Sequence, residues 1–229
     1  MRTDRFLSLL HFSDGLFPAG AYAHSFGLET FVQESRVYDA AGVDKFLREF
    51  LSGSSAPTDA VLVLCAQRAA NEKNLPACFA LDARLDAMKS AVELREASRQ
   101  MGRQTLRIAR ELMPQSLAAE FFAVIERDET PGHHAVAFGV VGSSLDWQPR
   151  ETAAAFLYAT SSALVGAALR LIPLGQLAGQ RILWNLQPLL DLLAESTLGK
   201  TEADIWNFAP ALEIAAMRHA NLDARLFRS

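Results

Sequence analysis

The chain has 229 residues, half of them hydrophobic and about a fifth charged, which supports a self-sufficient folded domain and excludes a disordered chain. Lys and Arg total 22 against 26 Asp and Glu, and the net charge of −4 excludes a general electrostatic grip on nucleic acid. Two cysteines, Cys65 and Cys78, both in apolar surroundings, make neither a disulfide framework nor a paired-thiol metal site, so a reducing, cytoplasmic compartment is expected.

Taken from the N-terminus, the first 23 residues imitate a secretory leader, with early arginines, a short apolar run and small residues near Ala23. Asp4 in the would-be basic region and His11, Ser13 and Asp14 in the apolar run argue against that reading. Helical spacing then recurs throughout and no clear period-two run appears. Helices are expected near 3–11, 26–35, 40–53, 57–72, 75–87, 90–112, 115–127, 133–145, 150–171, 176–197 and 201–222. Ser90 with Glu93 and Thr201 with Asp204 fit capping patterns, and Pro149 suits a first helical turn. Pro114, Pro131 and Pro173 fall between the periodic runs, where helices must stop. The expectation is one all-α domain over residues 1–229, a bundle of about ten helices.

Two of these segments predict their packing. In 90–112, Leu94, Ala97, Met101, Ile108 and Leu112 share a face that Thr105 completes. In 150–171, Ala155, Ala159, Ser162 and Gly166 form a stripe of small residues of the kind that lets two backbones approach, in a helix apolar nearly all round and therefore central. Residues 152–169 carry no charge, but a membrane span needs about 20 mostly apolar residues, and this run includes Thr152, Tyr158, Thr160, Ser161 and Ser162. It reads as a core helix.

Familiar chemistry is missing. Gly15 and Gly20 have the spacing of a phosphate-binding loop, but Ala21-Tyr22 stands where Lys-Ser/Thr must follow. His133 and His134 are neighbours, about 100° apart on a helix, and cannot chelate one ion as an i, i+4 pair does. Cys65 lies in an apolar helical run where a thiol is inert packing, and no nucleophile elbow is present. A helical enzyme whose site assembles from distant residues, using His133 or His134, stays open as the alternative. Arg95, Arg99, Arg103 and Arg107 recur at i+4 opposite the apolar face of their helix; a salt-bridged solvent face is the first reading and a protein-partner surface the second.

Two segments resist a bland reading. Residues 16–29 set Phe17, Tyr22 and Phe26 among Gly15, Pro18, Gly20 and Gly27, a loop either pinned to the core or offering a sticky surface. At the other end, Leu212, Ala215, His219, Leu222 and Leu226 continue a 3-4-3-4 stripe, followed by Phe227, with Arg218 and Arg225 on a shared face beside it. Chain ends fray unless tied down, so this tail calls for docking on the core or burial by a partner.

Four stretches together resemble the urease accessory protein F (UreF) family: FPAGAYAHSFGLE at 17–29, ELREASRQMGRQTLRI at 93–108, RLIPLGQLAGQ at 170–180 and HANLDARLFRS at 219–229. Ala19, Ala23 and Ala220 depart from the more usual residues, which bears on interface strength. The resemblance implies an all-helical, homodimeric, non-catalytic assembly factor. Its partners would be a UreD/UreH-type accessory protein, the nickel-binding GTPase UreG and apo-urease. Nickel and GTP would be handled by that complex, with no cofactor or metal bound directly. It also implies a tail that orders on the UreD-type partner, supported by Arg225 and Tyr22. The partner-binding residues expected on this basis are Tyr22, His24, Glu29, Gln176, Gln180, Leu222, Arg225, Leu226 and Phe227. In the expected arrangement Leu222, Leu226 and Phe227 bury apolar surface, Arg225 bonds carbonyls or a carboxylate, Tyr22 docks as an aromatic anchor, and Gln176 and Gln180 hold a bend or line an interface.

Overall fold

The computed structural model describes residues 3–229. Its α-helices are α1 (Thr3–Ser13), α2 (Leu28–Gln33), α3 (Ala40–Phe50), α4 (Val61–Asn71), α5 (Leu75–Met88), α6 (Val92–Leu112), α7 (Leu117–Glu126), α8 (His134–Ser144), α9 (Pro149–Leu171), α10 (Gln176–Thr197) and α11 (Pro210–His219). The expected all-α fold class is what the chain adopts, and no strand occurs among the described residues.

The centre is made by α4 and α8. Val61 to Gln67 of α4 and Ala135 to Gly142 of α8 are buried without interruption, so these are the helices with apolar contacts all round. Their backbones touch at Gly139, where a Cβ would stand 2.2 Å from the Val63 carbonyl oxygen. A second close approach sets α6 on the start of α8, since a Cβ on Gly102 would fall 2.1 Å from the Gly132 carbonyl oxygen. The small stripe of α9 makes neither crossing: Ala155, Ala159, Ser162 and Gly166 are half-buried, and a Cβ on Gly166 would meet nothing within 4 Å. α9 is long and apolar enough to cross a membrane, yet half of its apolar window is buried inside the fold, as in a core helix. On α6 the buried stripe is Ala97, Ser98, Met101, Gly102, Thr105, Leu106 and Ala109, rotated so that Leu112 is exposed rather than inward.

Two boundaries differ from expectation for one reason. The break expected near 53–57 is absent, because a π-helical segment, Leu51–Ala60, joins α3 to α4. Pro57 has no N–H to give to the ladder of this segment. The Gly53 carbonyl accepts from Phe208 N–H at 2.9 Å, and the Pro57 carbonyl accepts from Trp206 N–H at 3.3 Å. The Thr58 hydroxyl completes the strap by donating to the Trp206 carbonyl at 2.7 Å. Residues 205–209 are therefore not helical, and the helix expected over 201–222 is reduced to a 3-10 turn at Glu202–Asp204 and α11. Thr201 and Asp204 do form a capping box, but on that single turn. Ser90 does not cap α6, whose N-cap is Ala91 without a side-chain bond.

Candidate functional site: a tail docked on a glycine-rich loop

α11 ends at His219, so the apolar stripe does not run on to Leu226 as a helix. Residues 220–229 turn back over the 17–29 loop. Leu222 is half-buried and Leu226 is exposed, while Phe227 is buried, with the Arg170 guanidinium 4.2 Å above its ring. Arg218 and Arg225 share no helical face: Arg218 pairs with Glu34 at 3.1 Å and Arg225 with Glu93 at 2.7 Å.

Glu29 organises the docking. It is buried, and its Oε1 accepts from Leu226 N–H at 2.7 Å while Oε2 accepts from Phe227 N–H at 3.1 Å. His219, fully buried, sits between two carboxylates, with Nε2 2.9 Å from Glu29 and Nδ1 2.6 Å from Glu93. Both ring nitrogens are therefore within hydrogen-bond distance of a carboxylate oxygen. Glu93 thus joins His219 and Arg225, so that Glu29, His219, Glu93 and Arg225 form one continuous polar chain. Gln33 donates to the Ala224 carbonyl at 2.7 Å and Thr30 to the Ala215 carbonyl at 2.9 Å.

The loop supplies the last clamp. The main-chain oxygen of Ser229 accepts from Ser25 N–H at 2.6 Å, Phe26 N–H at 3.1 Å and the Ser25 hydroxyl at 2.8 Å. Phe26 and Gly27, which follow these donors, both have positive φ, 51° and 88°. Gly27 also approaches α11 closely; a Cβ there would lie 3.3 Å from the Ala216 nitrogen at a φ that side chains resist. His24 Nδ1 is 2.9 Å from the Ser229 hydroxyl oxygen, and burial, with the Arg228 charge beside it, lowers the His24 pKa to about 4. Arg228 N–H donates to the Ala23 carbonyl at 2.9 Å, and Arg170 donates to the Tyr22 carbonyl.

Of the residues expected in this site, His24, Glu29, Arg225 and Phe227 come together here. Tyr22 lies on the same loop and is 69% exposed, so it is not a packed anchor among the described residues. Gln176 and Gln180 are exposed at the start of α10, and neither side chain hydrogen-bonds among the described residues, so they do not hold the Pro173 bend. Sequence reasoning missed Ser25, Glu93, Arg170 and Ser229. The signal was present: Glu93 and Arg170 open two of the four stretches that carried the resemblance.

A second polar cluster bears on catalysis. His133 is fully buried, with Nδ1 3.0 Å from the Ser98 hydroxyl oxygen and Nε2 2.9 Å from Asp86 Oδ1. Burial lowers the pKa of His133, while Arg99 and His133 hold Asp86 low against its own desolvation. The composition is that of a hydrolytic triad, but Ser98 lies in the second turn of α6, where backbone N–H groups are committed to the helix ladder rather than to an oxyanion. Buried Asp82 accepts from Thr130, Gly132 N–H and His133 N–H at 2.6–2.8 Å, so the cluster secures the α6–α8 crossing. Three of the four stripe arginines are also spent within the chain: Arg95 on the Lys89 carbonyl, Arg99 on Asp86 and Arg103 on the Pro131 carbonyl.

The fold and site define an all-helical protein that closes three distant segments around its own tail. The UreF family profile matches residues 37–187. "Urease accessory protein UreF" of Bacillus sp. (strain TB-90) is 34% identical over 226 residues, covering 99% of this chain and 100% of that protein. The protein of the same name from Arthrobacter sp. (strain FB24) is 35% identical over 224 residues, 97% and 96% of the two chains. That of Corynebacterium glutamicum (strain R) is 33% identical over all 229 residues. The chain belongs to the UreF family.

Proposed function

We propose that this protein is a non-catalytic scaffold of urease maturation, which binds a UreD/UreH-type protein and recruits the GTPase UreG for nickel insertion into apo-urease. It acts in the cytoplasm as a homodimer, and nickel and GTP are handled by the assembled complex. The observation supporting this reading is convergence. Glu29 at the start of α2, Glu93 of α6, Arg170 of α9, His219 at the end of α11 and Arg225 to Phe227 of the tail meet in one network although they are spread over the chain. Tyr22 and Leu226 remain exposed on that network, a pair of apolar side chains on a rigid frame.

The test is size-exclusion chromatography with light scattering on the full chain, on Arg225→Ala and on a chain ending at Asn221, each with a UreD-type partner. The reading expects a stoichiometric complex for the full chain only, with Arg225→Ala weakened. If the full chain does not bind, the scaffold reading fails. If all three bind equally, the scaffold stands and the tail is not its interface.

A further inference from the structure

A cavity of about 90 Å³ lies under the 17–29 loop. Phe12, Phe50 and Met101 wall it, and Ala159 and Ala163 of α9 open the space by being small. That volume is roughly six to nine times what one ordered water needs, room for a small organic molecule.

Most polar groups facing the cavity are committed, the exceptions among the described residues being the Ser54 hydroxyl and His134. Lys89 and Asp59 pair at 3.0 Å and cancel each other's charge. The Ser98 hydroxyl is engaged with His133, and the Thr160 hydroxyl donates to the Phe156 carbonyl at 2.9 Å. His134 differs. Its ring packs 5.4 Å from Phe156 and 6.0 Å from Phe138, yet neither nitrogen has a hydrogen-bond partner among the described residues. Burial pushes its pKa down to about 4, so at neutral pH it offers one donor and one acceptor and no charge. A charged occupant would find no counter-charge free to meet it.

We infer that this cavity is a binding site for a small uncharged molecule of the phenol class, its ring against Phe156 and Met101 and its hydroxyl bonded to the free nitrogen of His134. The inference is independent of the scaffold reading, because it concerns the isolated chain.

Phenol and toluene, two rings of nearly the same shape, are the probes, titrated into the full chain by calorimetry and followed by methyl NMR at Met101 and Ala163. Saturable 1:1 binding with about a three- to tenfold preference for phenol is expected, the range one hydrogen bond supplies. His134→Phe keeps an aromatic ring and should erase the preference, and Ala163→Phe should fill the space and abolish both. Should Ala163→Phe fail to fold by circular dichroism, Ala159→Val, which adds less volume, replaces it. No saturable binding would mean the cavity holds water only and would overturn the proposal. Binding unchanged in the filled variant, or a preference surviving in His134→Phe, would overturn it as well.

Discussion

Glu29 is buried with both carboxylate oxygens occupied, and its neutral analogue cannot accept on both sides. Glu29→Gln turns one acceptor into a donor that faces a tail N–H or His219. Disrupting a buried, hydrogen-bonded charge in this way costs about 3–5 kcal/mol. We expect loss of that order in urea denaturation, with amide exchange accelerated first at Leu226 and Phe227; slow exchange at those two amides would contradict the assignment. The histidines make a second prediction. His24 and His134 have folded pKa values lowered to about 4, below the ordinary 6.5, so the unfolded chain takes up their protons first. The stability they contribute is complete above pH 6.5 and is lost as pH falls toward 4, by up to about 1.4 kcal/mol per pH unit for each group. Urea midpoints between pH 7 and 4.5 should fall less steeply in His24→Gln than in the parent, and an equal slope would refute the sign.

At the scale of elements, two glycines on long helices should answer oppositely to the same change. Gly102→Ala drives a Cβ into the backbone of residues 132–134, which has no flexible end to move, and should unfold the chain or cost several kcal/mol. Gly166→Ala meets open space and should stabilise by up to about 1 kcal/mol through helix propensity. Thermal melts of both decide the matter. Before the fold is seen, Gly166 looks like the packing glycine because it ends a stripe of small residues, and Gly102 is hidden among arginines and glutamines. Most helices were legible because apolar period and proline are local signals: α9 opens on Pro149, and α8 follows Pro131. The failures at 53–57 and 205–209 are two halves of one long-range exchange, in which a strap donates to the Gly53 and Pro57 carbonyls.

For the whole molecule, the tail is a structural part of the isolated chain. Ending the chain at Asn221 removes Phe227, whose burial alone is worth about 1.5–3 kcal/mol, and leaves Glu29 without two donors. For a chain of this length that is a fall in Tm of roughly 3–12 °C. Calorimetry on the truncated chain without any partner measures it, and an unchanged Tm would mean the tail does not dock in solution. The sequence by itself determined the all-helical class, most helix positions and the family, since these rest on local periodicity, proline placement and short motifs. It also named His24, Glu29, Arg225 and Phe227. Only the tertiary structure decided that Glu93 pairs with His219 rather than with a helix cap, that Phe227 goes inward while Leu226 stays out, and that α4 and α8 form the centre. Those outcomes depend on segments far apart in the chain competing for the same carboxylates and the same buried space, and no local pattern records who wins.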